Sequence, residues 1–149
     1  MLTIRPACIG DLEALASLFD HYREFYKQTA NIELAKNFVE ARLNNKDSAI
    51  FVAENNEGKL IGFCQIYPSF CSVAAAKIGV LYDLFVDSRA RKTGAGRALM
   101  LAAHEYAANN GMVRLDLSTA KNNLAAQALY ESLGWKRDEI FYTYSKNLT

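Results

Sequence analysis

Apolar and polar residues follow several distinct patterns along the chain, and each pattern predicts one kind of element. In the N-terminal third, LTIR (2–5) predicts a strand. Two helices follow, one opening after Asp11 and the other running from Asn31 to about Asn44, because apolar residues recur there at intervals of three and four. SAIFVAE (48–54) and KLIGFCQIYP (59–68), separated by the turn NNEG, then predict a β-hairpin.

The second half of the chain continues this alternation of strands and helices. Residues 69–76 resemble a loop, and KIGVLYDLFV (77–86) is so continuously apolar that it predicts a central strand covered on both faces. A helix from Gly94 to Asn110, a buried strand VRLDLST (113–119) and a helix from Asn122 or Asn123 to Leu133 come next. A final hairpin of WKRD and IFYTYSKNL completes the order β-α-α-β-β-β-α-β-α-β-β, which predicts a mixed α/β layer fold.

Composition narrows the classes of partner. A net charge of +1 over 149 residues gives no broad basic field, so we expect neither nucleic acid nor membrane as a partner, and any bound anion must be held locally. The acidic residues Asp11 and Glu13 near the start argue against a signal peptide, and no segment is apolar enough to span a bilayer. Three cysteines without CxxC spacing suggest neither disulfides nor a metal site, so a cytoplasmic location is expected.

The stretch VDSRARKTGAGRALM (86–100) carries the clearest chemical signal. Apolar strand residues run into a basic cluster, then into two glycines that open a helix. Such glycines let a ligand approach backbone amides at the positive end of the helix dipole, as a pyrophosphate cradle requires. A P-loop is excluded because Lys92 and Thr93 precede the glycines, and the Rossmann fingerprint fails because Leu99 occupies its third glycine position.

What remains, Arg91-x-x-Gly94-x-Gly96 after a strand, resembles the acetyl-CoA-binding motif of the GNAT acetyltransferase superfamily. NNLAAQALYESLGW (122–135) resembles the family's downstream N-x-x-A-x-x-x-Y-x-x-x-G-[FW] signature, and IRPACIGDLEALASLF is similar to its first strand and helix. The resemblance therefore covers essentially the whole chain. Within the superfamily, LFDHYREFYKQ and YDLFV look most like the histone, polyamine and diamine acetyltransferase branch.

The resemblance implies a fold and a cosubstrate. Residues 1–149 are expected to form one acetyl-CoA-dependent N-acetyltransferase domain of α/β (α+β) class, with a GNAT-like, mixed and mostly antiparallel sheet flanked by helices. No metal is expected. The residues that match the family's acetyl-CoA-binding positions are Leu84, Phe85, Val86, Arg91, Lys92, Thr93, Gly94, Ala95, Gly96, Arg97, Asn123 and Tyr130.

The resemblance also assigns catalytic roles, unevenly. Tyr130 matches the general acid, and a phenol can protonate a departing thiolate at a small thermodynamic cost. The general base is open, because Tyr82 stands where polyamine-type relatives have Glu, followed by Asp83. Adjacent strand residues face opposite sides, so Asp83 replaces that Glu only if a bulge redirects it. A water chain to Asp83, a structural role for Asp83, and deprotonation of the amine in solvent are the alternatives.

The acceptor site is expected to be aromatic, lined by Tyr22, Phe25, Tyr26 and Tyr82. We expect transfer to a primary amine of a polyamine, a diamine or an amino-acid-like molecule by direct attack in a ternary complex. Acetylation of a protein lysine or N-terminus, and acyl-CoA binding without turnover, are the alternatives. A homodimer is suggested because relatives in this branch are commonly dimers.

Overall fold

Five strands and four α-helices form along residues 1–149 in this computed structural model, which describes every residue. In chain order they are β1 (Thr3–Pro6), α1 (Leu12–Phe25), α2 (Ile32–Asn45), β2 (Ala49–Glu54), β3 (Leu60–Cys71), β4 (Ala76–Val86), α3 (Ala95–Asn109), β5 (Leu115–Asp116) and α4 (Leu124–Ser132). Contacts divide the chain into two units, Met1–Ser118 with the whole sheet and Thr119–Thr149 with α4. No helix has the length and apolar character needed to cross a membrane.

The sheet has the strand order β1-β2-β3-β4-β5. All neighbours from β1 to β4 are antiparallel, and β5 pairs in parallel with β4. The expected mixed, mostly antiparallel sheet flanked by helices is therefore confirmed, and its longest ladder joins β3 to β4.

Helices cover both faces of the sheet. Apolar residues of α1 recur at helical spacing, and Leu15 and Phe19 of this stripe are buried in one cluster with Phe63 of β3. The next residue on β3, Cys64, points to the opposite face, where its Sγ lies 3.8 Å from the Leu99 carbonyl of α3. The run from Leu60 to Ile66 is accordingly buried throughout.

Polar side chains hold the starts of α1 and α2 in different ways. Asn31 caps α2, as predicted, with its side chain accepting from the Leu34 amide at 3.1 Å. Asp11 precedes α1, but its carboxylate does not cap the helix. It accepts instead from the Arg5 guanidinium at 2.8 Å, and Arg5 also binds Glu54 at 2.7 Å. This ion network ties β1 to the start of α1 and to β2.

The β3–β4 hairpin is longer than predicted. Residues 69–71, expected to begin a loop, pair with residues 76–78, and only residues 72–75 form the turn. Pro68, where the sequence predicted the strand's end, lies beyond the last β2 partner, Ile66. The N–H that Pro68 lacks therefore costs no hydrogen bond to β2. This is why proline is tolerated at this position.

The predicted final hairpin is wrong. Residues 136–149 contain no strand, and the predicted strand 113–119 shortens to the two residues of β5. The aromatic residues of this segment have strand propensity, but the Asp138 carboxylate accepts from the amides of Ile140 and Phe141 at 3.0 and 3.2 Å. This local turn uses amides that a ladder would need.

Replacing Asp11 tests the ion network. The hydrogen bond from Arg5 is the main reason that the pKa of Asp11 falls to about 2, below its usual range. A lowered pKa stabilises the fold above the unfolded-state pKa of about 4, and the stabilisation is lost as pH falls toward about 2. We expect Asp11→Asn to lower the free energy of unfolding by about 1–2 kcal/mol near neutral pH. Urea unfolding of both proteins measures this, and a difference that does not shrink between about pH 4 and pH 2 would contradict the assignment.

Candidate active site

A β-bulge lies at the centre of the longest ladder. Gln65 pairs with Asp83 and Ile66 pairs with Leu81, so Tyr82 is one extra residue on β4. Tyr82 is 66% exposed, whereas Asp83 is only 4% exposed. The bulge on which the role of Asp83 was expected to depend is therefore present.

Asp83 is a buried carboxyl group with identifiable partners. The Gln65 side-chain amide donates to its Oδ2 at 2.7 Å. The Tyr22 hydroxyl, which donates to the Tyr82 carbonyl at 3.3 Å, also interacts with the Asp83 carboxyl group. Burial raises the pKa of Asp83 above its usual value, and the hydrogen bonds from Gln65 and Tyr22 offset part of this rise. A carboxyl group in this state accepts a proton more readily than an exposed one.

Tyrosines from three elements surround this carboxyl group. The Tyr22 and Tyr26 rings of α1 meet edge to face with centroids 5.3 Å apart, and Tyr67 of β3 meets Tyr82 at 5.7 Å. Burial, followed by the nearby charge of Asp83, raises the pKa of Tyr26 and raises that of Tyr67 to about 12. Aromatic faces beside a carboxylate suit a cation. Three of the four residues predicted for the acceptor site thus gather here.

Phe25, the fourth predicted residue, contacts both Tyr26 and the basic loop. Its ring contacts Tyr26 edge to face at 5.2 Å, and the Arg91 guanidinium carbon lies 5.8 Å from its centroid. Phe25 is 52% exposed. It therefore joins the end of α1 to the loop that precedes α3.

The C-terminal end of β4 is paired with a neighbouring strand on one side only. Leu84–Val86 pairs with Gly62–Cys64 of β3, whereas the parallel ladder to β5 covers Gly79 and Val80 alone. The strand thus continues past its short neighbour. Beyond the strand, Arg91 Nε donates to the Val86 carbonyl at 3.2 Å.

The predicted phosphate-binding loop has the backbone geometry of a tight turn at a helix start. Lys92 has φ +67° and Gly94 has φ +85°, both in the left-handed region. The Thr93 hydroxyl donates to the Ala90 carbonyl at 2.8 Å, which holds the turn closed. The first turn of α3, Ala95–Arg97, follows directly. Its amides lie at the positive end of the helix dipole, where anions are stabilised.

Asn123 and Tyr130 belong to the second unit. Asn123 caps α4, with its side-chain oxygen accepting from the Ala126 amide at 3.3 Å. Tyr130 lies in the last turn of that helix, half-buried, with its ring centroid 6.3 Å from that of Trp135. The Tyr130 carbonyl accepts from the Trp135 amide at 3.1 Å. The signature residues therefore begin and end this short helix.

Sequence reasoning missed two polar residues behind Asp83. Gln65 is 2% exposed, and its side-chain oxygen accepts from the Ser48 hydroxyl at 2.6 Å. The available signal was a lone amide within the apolar run LIGFCQIY, since a buried polar side chain needs partners.

Comparison with known proteins identifies the family. A sequence model of the acetyltransferase (GNAT) family matches residues 14–135. The chain belongs to the GNAT family. It is 45% identical over 147 residues to the uncharacterized N-acetyltransferase YhfO of Bacillus subtilis (strain 168), with 99% of this chain and 98% of that protein covered. A probable acetyltransferase of Haemophilus influenzae is 30% identical over 126 residues, covering 85% and 84% of the two chains.

A solved structure agrees with this assignment. The crystal structure of a probable acetyltransferase superposes with a TM-score of 0.92 at 36% identity, covering 99% of this chain and 98% of the other. This GNAT protein is therefore an acyltransferase, and members of its family use acetyl-CoA and an acceptor substrate. These relatives identify the family but not the histone, polyamine and diamine branch within it.

The cap of α4 gives a structural prediction. Asn123→Ala removes the oxygen that binds the Ala126 amide, so we expect a loss of about 1 kcal/mol in the free energy of unfolding. Asn123→Asp keeps a capping oxygen and should retain most of the stability. Denaturant unfolding of both variants checks this, and equal stability of Asn123→Ala and the wild type would show that the cap is dispensable.

Proposed function

We propose that residues 1–149 act as one acetyl-CoA-dependent N-acetyltransferase domain of the histone, polyamine and diamine branch. The acceptor is the primary amine of a small cation, such as a polyamine, a diamine or an amino-acid-like molecule. The observation that carries this proposal is the buried Asp83 carboxyl group among Tyr22, Tyr26, Tyr67 and Tyr82. A negative charge with π faces around it favours a cation over a neutral acceptor.

Acetyl-CoA is proposed to bind along the end of β4 and at the start of α3. Its pantetheine arm would pair with the backbone of Leu84–Val86, on the side beyond the β5 ladder. The pyrophosphate would lie against the amides of residues 91–97, with the side chains of Arg91, Lys92 and Arg97 supplying positive charge. The left-handed turn at Gly94 supports this placement, because it exposes the helix start to an anion.

The proposed reaction is direct attack of the amine on the thioester. Asp83 accepts a proton from the substrate ammonium, directly or through one water molecule, which leaves a nucleophilic nitrogen lone pair. A C–N bond then forms, the C–S bond breaks, and Tyr130 gives its proton to the departing thiolate. The nitrogen loses its second proton to solvent, from which the Tyr130 phenolate regains one. The raised pKa of Asp83 supports its role, because a base is most effective when its pKa is near the working pH.

The proposal includes the cytoplasmic location and the homodimer expected from the sequence. All three cysteines are free thiols, which suits a reducing compartment. Phe141, Tyr142 and Tyr144 are each at least 77% exposed, and such apolar surface favours coverage by a second copy.

Replacing Gly94 tests the cosubstrate site. A Cβ at this position has nothing within 4 Å, so Gly94→Ala adds no clash and acts through the strain of a positive φ. We expect acetyl-CoA binding to weaken roughly fivefold, which corresponds to about 1 kcal/mol. Isothermal titration calorimetry measures the dissociation constant. Gly58→Ala, at a positive-φ turn between β2 and β3, is the matched control, and an equal effect of both substitutions would contradict the placement.

An amine panel tests the reaction itself. Free-thiol release from acetyl-CoA should appear with a polyamine or diamine and be weaker with a lysine peptide. We expect Asp83→Asn and Tyr130→Phe each to lower kcat by about a hundredfold, in the range for loss of a proton-transfer group. Release with lysine peptides alone would redirect the proposal to a protein acceptor. Tight acetyl-CoA binding without release from any amine would favour a non-catalytic binder.

A further inference from the structure

We propose that Gln65 and Ser48 are positioning residues that hold the Asp83 carboxylate in the orientation needed to accept the substrate proton. This inference rests on the proposed function, in which Asp83 is the general base. Neither residue belongs to the GNAT motifs at residues 91–96 or 122–135. Both act through Asp83 and do not touch the reacting atoms.

The three side chains form one hydrogen-bonded series across three strand segments. Ser48, immediately before β2, donates from Oγ to Gln65 Oε1 at 2.6 Å. Gln65, in β3, donates from Nε2 to Asp83 Oδ2 at 2.7 Å. Gln65 is 2% exposed and Asp83 is 4% exposed, so water does not easily replace the contact between them. Two short contacts on a buried amide leave it little rotational freedom.

The orientation of the Gln65 amide favours the ionised form of Asp83 and offsets part of the effect of burial. The Ser48 hydroxyl donates to the amide oxygen of Gln65, and the amide presents its NH₂ group to the Asp83 carboxyl group. An NH₂ group stabilises an ionised carboxylate, whereas a flipped amide would place two oxygens against each other. A carboxamide neither gains nor loses a proton near neutral pH, so Gln65 orients Asp83 and carries no proton away from it.

Four other ionisable groups lie close enough to Asp83 for its charge to affect their pKa values. Burial is the main reason that the pKa values of Tyr22, Tyr26, Tyr67 and Cys64 are raised, the last two to about 12. These four groups therefore stay neutral around pH 7. Asp83 is then expected to set the acidic limb of the pH profile, the range in which activity falls as the pH is lowered. The titratable side chains on the face of Asp83 are Tyr22 and Tyr26 of α1 and Tyr67 of β3, with Tyr82 of β4 against Tyr67. Cys64 of β3 lies behind Asp83 and points to the opposite face.

The test is the pH dependence of kcat/KM for thiol release with the best amine of the panel. Gln65→Met keeps the volume and removes the donor, so the proton is held more tightly by Asp83. The acidic limb should then move up by about one pH unit, with kcat/KM falling up to tenfold on that limb. The dissociation constant for acetyl-CoA should not change. A uniform drop in kcat/KM with an unshifted limb would show a merely structural role and overturn the inference.

Ser48 supplies a milder variant should Gln65→Met fail to fold. It lines an open cavity of about 260 Å³, so Ser48→Ala removes the hydroxyl without disturbing a packed core. We expect a shift of the limb in the same direction and about half as large, with Ser48→Thr restoring the wild-type profile. An unshifted limb in Ser48→Ala, or a failure of Ser48→Thr to restore it, would overturn the role of Ser48.

Asp83→Asn in the same assay separates this inference from the proposed function. If Asp83→Asn keeps the wild-type profile, Asp83 is not the base and both ideas fail. If Asp83→Asn loses activity while Gln65→Met leaves the limb unshifted, only the positioning role fails. A ¹³C NMR titration of the Asp83 carboxyl carbon in wild type and Gln65→Met gives the same answer without turnover, and an unchanged titration midpoint would contradict the inference.

Discussion

The antiparallel ladder between β3 and β4, with its single extra residue at Tyr82, is the constraint on which the rest of the structure depends. It places Asp83 in the layer between the sheet and α1, where a carboxyl group needs partners. Gln65 lies opposite it on the same ladder, and Tyr22 approaches from α1. The bulge turns an apolar strand into the support of a polar site without breaking the core on either side.

The same strand connects the two halves of the proposed chemistry. At its centre β4 carries the buried carboxyl group, and at its end Leu84–Val86 extends past the short ladder to β5. The turn to α3 follows within a few residues and ends at Gly94 with a left-handed backbone. A ligand whose one end pairs with the end of β4 therefore has its other end at the positive end of the α3 dipole. In the proposed reaction, one continuous segment thus provides backbone amides for the cosubstrate and a base for the acceptor.

Much of this was predictable because helix spacing, glycine motifs and the N-cap at Asn31 are local signals. The turn at Gly94, which is proposed to bind phosphate, and the family resemblance came from such signals too. The bulge, the Ser48–Gln65 contact and the absence of the last two strands depend on which strand pairs with which, which spacing does not encode. The segment from Ile140 shows this most clearly, because its aromatic residues have strand propensity but the local turn at Asp138 uses the backbone amides.

A crystal structure with coenzyme A and the best acceptor amine bound would test the central claim most directly. The account predicts that the acceptor nitrogen lies within hydrogen-bond distance of an Asp83 carboxylate oxygen, or is joined to it by one ordered water, with tyrosine rings around the cation. An acceptor nitrogen that has no direct or water-mediated contact with Asp83 would contradict the account.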